Sequence, residues 1–277
     1  MKTRYSIPLL LLGSASIGFA ATVAKFNGGA TDTPFVLAKL GDGAAAAVTA
    51  GVGPDGTAAL EITTSGINGQ ANTAGFARAD VGAPNSFPFS FQFKAGPTAA
   101  SADGFSVSFL PTTAVASGGY GTSGAIPFLS EDPAAANVLA FGFDTWGNGA
   151  PNDGPNGAGG SSDYNDISLF WDNKLIAAEL DPRAKGLTID DNNWHTASGT
   201  IDMLGAKVTL KVDALTIFNN VAVPGLKPYE YRLGIGGRTG GENENAWFDN
   251  INVGVPEPAS SGLAAMGLCF LARRRRK

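Results

Sequence analysis

Residues 86–94 read SFPFSFQFK, with Phe87, Phe89, Phe91 and Phe93 at strictly alternating positions. Alternation with a period of two marks a strand, because successive side chains leave opposite faces. Four rings on one face predict that this face turns into a core, since a soluble protein rarely exposes so much contiguous apolar surface. Pro88 cannot donate to a ladder, so it predicts an edge strand or the start of a strand. Residues 104–110 (GFSVSFL) alternate in the same way. Shorter apolar runs at 58–63, 138–143, 167–171, 207–212, 231–235 and 246–253 are separated by segments rich in Gly, Asn, Asp and Pro. Residues 192–195, followed by 207–213 and 217–221, predict two or three consecutive antiparallel strands. Long helical periodicity is absent. Many short strands with polar turns predict an all-β sandwich or jelly roll rather than alternating β and α elements. The low-complexity patches at 44–47 and 157–162 are expected to be loops, and no internal repeat is evident.

The two ends break this pattern. Residues 1–20 carry Lys2 and Arg4, then an apolar run, then Gly18 and Ala20 in a small-x-small arrangement; this predicts a helical secretory signal peptide cut before Ala21. At the other end, Pro256-Glu257-Pro258 precedes a short apolar run at 262–272 and a basic cluster, Arg273 to Lys277. That run is well short of the roughly 20 residues an untilted spanning helix needs. Its basic end favours retention on the cytoplasmic side. These last residues, 255–277, resemble the PEP-CTERM sorting tail of Gram-negative envelope proteins. The resemblance implies a short helical tail, export, and an exosortase-type membrane protease as partner.

Composition matters once the ends are set aside. Without their seven basic residues and Glu257, the body at 21–254 keeps 12 basic against 23 acidic residues, a net charge near −11. Phosphate recognition needs a basic surface, so nucleic acid is excluded as an expected partner. The single cysteine, Cys269, lies in the tail, which leaves the body without a disulfide or a reactive thiol. A body of this length can bury a sufficient core without staples.

Candidate chemistry concentrates at residues 139–148 (LAFGFDTWGN). If the extended backbone continues, Asp144, Trp146 and Asn148 share one side. Hard oxygen donors gathered in this way suit Ca²⁺. Residues 148–166 follow as a loop rich in Gly, Asn and Asp that could supply more oxygens. Asp103-Gly104 is, read alone, equally a turn signal, and Gly118-Gly119 a plain loop.

Three segments in order, Ala102-Asp103-Gly104-Phe105, Ser117-Gly118-Gly119-Tyr120-Gly121 and Phe143-Asp144-Thr145-Trp146-Gly147-Asn148, resemble the L-type (legume-like) lectins of the concanavalin A-like superfamily. The resemblance spans about residues 80–253. It implies a concanavalin A-like jelly-roll sandwich of two antiparallel sheets, Ca²⁺ as cofactor, and carbohydrate or exopolysaccharide as partner. It assigns the sugar hydroxyls to the Asp103 carboxylate, behind a cis peptide after Ala102, and to the Gly119 backbone and Asn148. Tyr120 or Trp146 would stack on the ring. Asp144 would ligate Ca²⁺ through its carboxylate, Trp146 through its carbonyl and Asn148 through its side chain. The further acidic ligand stays open between Asp153, Asp163 and Asp166. Gly142 stands where many plant members carry a transition-metal Glu, and no His ends the loop, so no second metal is expected.

Other chemistries find little support. Glycoside hydrolysis needs two carboxylates flanking one bond, and the nearest spacing, Glu242-Asn243-Glu244-Asn245, sits in a stretch expected to be a solvated loop. His195 lacks a nucleophile elbow and is expected to be structural. One His and no body cysteine exclude a zinc pattern. The expectation is a non-catalytic, Ca²⁺-dependent lectin of the cell envelope. Its rivals are a matrix protein that binds no sugar and a glycoside hydrolase.

Overall fold

The computed structural model describes residues 22–26, 33–77, 82–96, 101–113, 130–133, 135–146 and 165–254. The expected signal peptide and sorting tail lie outside these residues. Within them the chain forms fifteen strands and one 3₁₀ turn, Pro182–Lys185. Two antiparallel sheets face each other, which is the expected sandwich.

The eight-stranded sheet runs β13 (Leu215–Ala222), β12 (Lys207–Val212), β11 (His195–Asp202), β6 (Ser86–Gly96), β15 (Asn245–Val253), β4 (Ala59–Thr63), β3 (Ala47–Thr49), with β1 (Thr22–Ala24) also pairing with β15. The seven-stranded sheet runs β10 (Lys174–Leu180), β9 (Asp166–Trp171), β8 (Leu139–Asp144), β7 (Gly104–Pro111), β14 (Tyr231–Arg238), β5 (Ala71–Phe76), β2 (Phe35–Lys39). Neighbours far apart in sequence, such as β6 beside β15 and β7 beside β14, are the mark of a jelly-roll winding. The patch at 44–47 is a loop only as far as Ala46; Ala47 opens β3.

The four phenylalanines of β6 are all buried. They meet the inward side chains of the opposite sheet. Phe93 lies 5.2 Å from Phe105 and 5.1 Å from Phe143, and Phe105 stacks on Phe143 at 4.8 Å. Offset and edge-on pairs at these spacings add to the area term of aromatic burial.

The expectation of an edge position for β6 is overturned, while a position near the strand start holds. The strand lies in mid-sheet between β11 and β15, and Pro88 is its third residue. The Pro88 carbonyl accepts the Gly254 N–H at 3.0 Å. Gly254 is the first residue past β15, so the missing proline N–H falls where the partner strand has ended.

Register positions the site. Pairings across five strands set Ala71, Arg238, Gly104, Asp144 and Asp166 side by side. In β8, Leu139, Phe141 and Phe143 join the main core, so Ala140, Gly142 and Asp144 face the outer side of the seven-stranded sheet. The row containing Asp144 therefore lies at one end of that outer face.

Candidate functional site

The cross-strand row places two acids, Asp144 and Asp166, directly opposite each other on β8 and β9. Like charges in that relation destabilise a sheet. Asp103 joins them from the turn before β7. Its backbone N–H donates to the Arg238 carbonyl (3.1 Å) and its carbonyl accepts the Thr145 N–H (3.1 Å), so β14 and the end of β8 grip it from both sides. The Ala102–Asp103 peptide is cis. Gly104 follows at φ +133°, where a Cβ would fall 2.2 Å from the Phe143 carbonyl oxygen; only glycine fits between the strands here.

Trp146 corrects one expectation. The extended backbone does not run on through Trp146: β8 stops at Asp144, and the Trp146 N–H folds back to donate to Asp144 Oδ1 at 2.8 Å. An acid accepting from the N–H two residues on is an Asx-type turn. The alternating geometry that put Asp144, Trp146 and Asn148 on one side is therefore not the local structure. Gly119, Tyr120, Asn148, Asp153 and Asp163 lie outside the described residues, as do Pro256, Glu257 and Pro258. Of the expected site, the fold brings together Asp103, Asp144 and Asp166 at the one row end, with Trp146 beside them.

Three groups that sequence reasoning missed complete the corner. Arg238 ends β14, in register with Gly104, and its guanidinium grips Glu131 by Nε–H bonds to both carboxylate oxygens at 2.9 Å and by a further bond from its terminal amino group. Arg238 Nε also stands 3.4 Å from Asp103 Oδ2, near enough for attraction but not hydrogen-bonded. Glu131 belongs to a segment crossing the outer face: an added Cβ on Gly142 would fall 2.0 Å from the Glu131 carbonyl oxygen. The position that could have carried a metal-binding Glu is thus covered by backbone, and an Arg–Glu pair occupies the neighbourhood. The sequence signal for Arg238 was available in the β14 alternation of Arg232, Gly234, Gly236 and Arg238. Glu131 had none.

Glu244 is the third group and a second correction. Its stretch is a loop up to β15 with Glu242 exposed, but Glu244 is wholly buried, accepts the Thr145 hydroxyl at 2.9 Å on Oε1, and leaves Oε2 without a partner. Asp190, also buried, likewise leaves Oδ1 unpartnered.

The electrostatics follow from crowding acids out of water. Burial, then the charge of Glu131, pushes Asp144 up to about 10 despite the bond from Trp146; Asp166 and Asp132 add to the rise. Burial raises Asp103 to about 6, opposed by Arg238 and reinforced by Glu131. Burial drives Glu244 well above the glutamate range, against the Thr145 bond and with the charge of Asp190. Arg238 is held firmly protonated, chiefly by its bonds to Glu131.

His195, expected to be structural, opens β11 on the other sheet. Its Nδ1 is 2.7 Å from Asp213 Oδ2 and its Nε2 3.0 Å from Asp191 Oδ1, with the Phe93 ring beside it.

This architecture is the concanavalin A-like lectin fold. Among solved structures, the chain is similar to lectin I-B4 from Griffonia simplicifolia in its metal-free form (TM-score 0.54, 18% identity, 83% of this chain and 95% of that one). It is also similar to the lectin from Bauhinia forficata in complex with GalNAc (TM-score 0.55, 16% identity, 84% and 96%). A third is the exoplasmic/lumenal domain of VIP36 in its Ca²⁺/Man₃GlcNAc-bound form (TM-score 0.54, 12% identity, 86% and 89%). Residues 254–277 match the PEP-CTERM protein-sorting motif. No curated protein matches the sequence.

Proposed function

We propose that the protein is an exported, non-catalytic lectin that binds carbohydrate with Ca²⁺ at the acidic corner of the seven-stranded sheet. One observation carries this reading. The pairing Gly104–Asp144–Asp166 gathers Asp103, Asp144 and Asp166 at one end of an outer face, where Asp103 and Asp144 are buried and Asp103 Oδ2 has no hydrogen-bond donor. A buried acidic oxygen without a donor calls for a cation or a ligand hydroxyl. Among the described residues no three acidic groups stand close enough to hold a metal by themselves. The Ca²⁺ shell we propose takes Asp144 and the Trp146 carbonyl, with Asn148 and one of Asp163, Asp166 or Asp153 closing it. Ca²⁺ would offset the repulsion between acids and fix the loop behind the sugar.

Asp103 is the proposed sugar acceptor. Its carboxylate accepts hydroxyl protons while Arg238 balances its charge, and Gly119, Asn148 and a ring from Tyr120 or Trp146 complete the contact. The lectins of similar fold, two of which are described with bound sugar, support the reading. The sorting motif supports export to the envelope through an exosortase-type protease, with residues 1–20 removed as a signal peptide. An exopolysaccharide is the proposed natural ligand.

The test is glycan-array binding with Ca²⁺ and with EDTA, alongside calorimetry. Ca²⁺ should raise the melting temperature and switch on binding. Asp103→Ala should abolish binding of neutral glycans at an unchanged melting temperature. Neutral-glycan binding that survives EDTA, or survives in Asp103→Ala, would sink the proposal.

A further inference from the structure

The opposite end of the same sheet carries a second cleft. Asp144 and Asp166 mark one end of the β8–β9 pair, and Leu139 opposite Trp171 marks the other. Five residues of strand separate them, about 17 Å. Here β9 turns into β10 through Asp172 and Asn173, both at positive φ (52° and 63°), which sets Lys174 directly across from Trp171. Positive φ at both turn residues is the two-residue hairpin geometry that Asp and Asn tolerate. The segment between β13 and β14 closes the other wall with Pro224, Gly225 and Lys227. The result is a cavity of about 380 Å³, continued by a second of about 280 Å³ toward Tyr229; Trp171, Asn137 and Lys227 line both. That is the size of ordinary small-molecule clefts.

Its lining is lopsided in hydrogen-bonding character. Trp171 is 6% exposed, and its ring stacks on Tyr229 at 5.8 Å. Among the described residues its indole N–H has no acceptor, and its Nε1 lies 3.5 Å from where a Cβ on Gly225, a residue of the cavity wall, would sit. Lys174 and Lys227 are exposed and make no ion pair among the described residues. Indole and ammonium groups donate and cannot accept. Asp172 is the acidic group of the lining; its Oδ1 takes the Asn137 N–H at 3.0 Å, which leaves Oδ2 to accept. Three donor-only groups around an aromatic floor ask for a ligand with surplus negative acceptors, and this in a body whose charge is strongly acidic.

The geometry points to a second saccharide subsite, selective for a sugar ring bearing a carboxylate. The carboxylate lies between Lys174 and Lys227, a ring oxygen or hydroxyl accepts from the Trp171 N–H, and a further hydroxyl donates to Asp172. The subsite does not rest on the acidic corner, and it needs no Ca²⁺.

The probe is a galacturonate trimer, with its methyl ester as neutral control, titrated into the full chain in EDTA at low salt. Heat or chemical-shift change on the Trp171 indole should report binding. The ester should bind about tenfold more weakly or worse, because the charge contact is lost. Lys174→Glu with Lys227→Glu should remove binding and leave the melting temperature unchanged, whereas Lys211→Glu on the other sheet should leave both binding and melting temperature unchanged. Asp103→Asn should retain it. Equal affinity for acid and ester, survival of binding in the double variant, or loss of binding in Asp103→Asn would each overturn the subsite.

Discussion

At the scale of single residues, Glu244 and Gly142 show how tightly the corner is built. Folded Glu244 keeps its proton well above the ordinary glutamate range, because burial outweighs the Thr145 bond and Asp190, Asp103 and Glu131 add negative charge. Between the ordinary value and the folded one, the native state therefore binds more protons than the unfolded chain, and stability falls as pH rises. Glu244→Gln keeps an acceptor for the Thr145 hydroxyl and removes the charge. Measured in EDTA, it should raise the melting temperature at pH 8 and leave it unchanged at pH 4; equal gains at both would mean that charge is not the cause. Gly142→Ala acts through space. The Cβ would meet the Glu131 carbonyl oxygen, a backbone atom that cannot swing aside. Overpacking of this kind costs about 1–3 kcal/mol, occasionally more. It should also loosen Glu131 from Arg238, and chemical denaturation of the variant should show the loss. None of this was legible from residue type. Glycine at 142 read as a missing ligand, whereas the structure gives it as the floor on which Glu131 rests.

At the scale of elements, alternation and apolar runs carried most of the strands. Residues 86–94 and 104–110 fixed β6 and β7, and the runs at 58–63, 138–143, 167–171, 207–212, 231–235 and 246–253 fell on strands within a few residues at their ends. The strands left unread were β1, β2, β3, β5 and β10: β1 and β3 have three residues each, β2 and β10 are half-exposed, and β5, though buried, reads ANTAGF and lacks a clean apolar alternation. The long-range pairing, β6 with β15 and β7 with β14, leaves no local mark, and so the juxtaposition of Arg238 with Asp103 and Asp144 could not be read either. The start of β11 is held by charge. Burial by itself would raise Asp191, but the Asn193 side chain and N–H and the His195 ring bond its carboxylate and hold it below the usual aspartate range. A depressed acid adds stability that is present above its unfolded value and is lost as pH falls through its folded one. Asp191→Asn should therefore lower the melting temperature at pH 7 and flatten the acid limb of a pH–stability curve below the ordinary aspartate range. An acid limb identical to that of the parent would show that the Asp191–His195–Asp213 clamp is not what that limb reports.

At the scale of the molecule, both ends of the sandwich leave from one place. β1 pairs with the last residues of β15, Thr22 with Val253 and Ala24 with Ile251, so the first strand begins just past the expected cleavage point and runs alongside the last. The last bond between this end of the chain and β6 is Gly254 N–H to the Pro88 carbonyl, and the sorting motif starts at residue 254. Everything that β15 contributes, its pairing with β6, β4 and β1, is complete by Val253. A chain ending at Gly254 should therefore melt where the full chain does and titrate Ca²⁺ identically, because every described strand is kept. A chain ending at Asn250 should melt lower, since it surrenders Ile251 and Val253 from the core together with the β1 ladder. The comparison separates the two roles of the C-terminal region by differential scanning calorimetry. If the shorter cut at 254 already destabilised the protein, the tail would have to be counted as part of the fold rather than as an address carried on its edge.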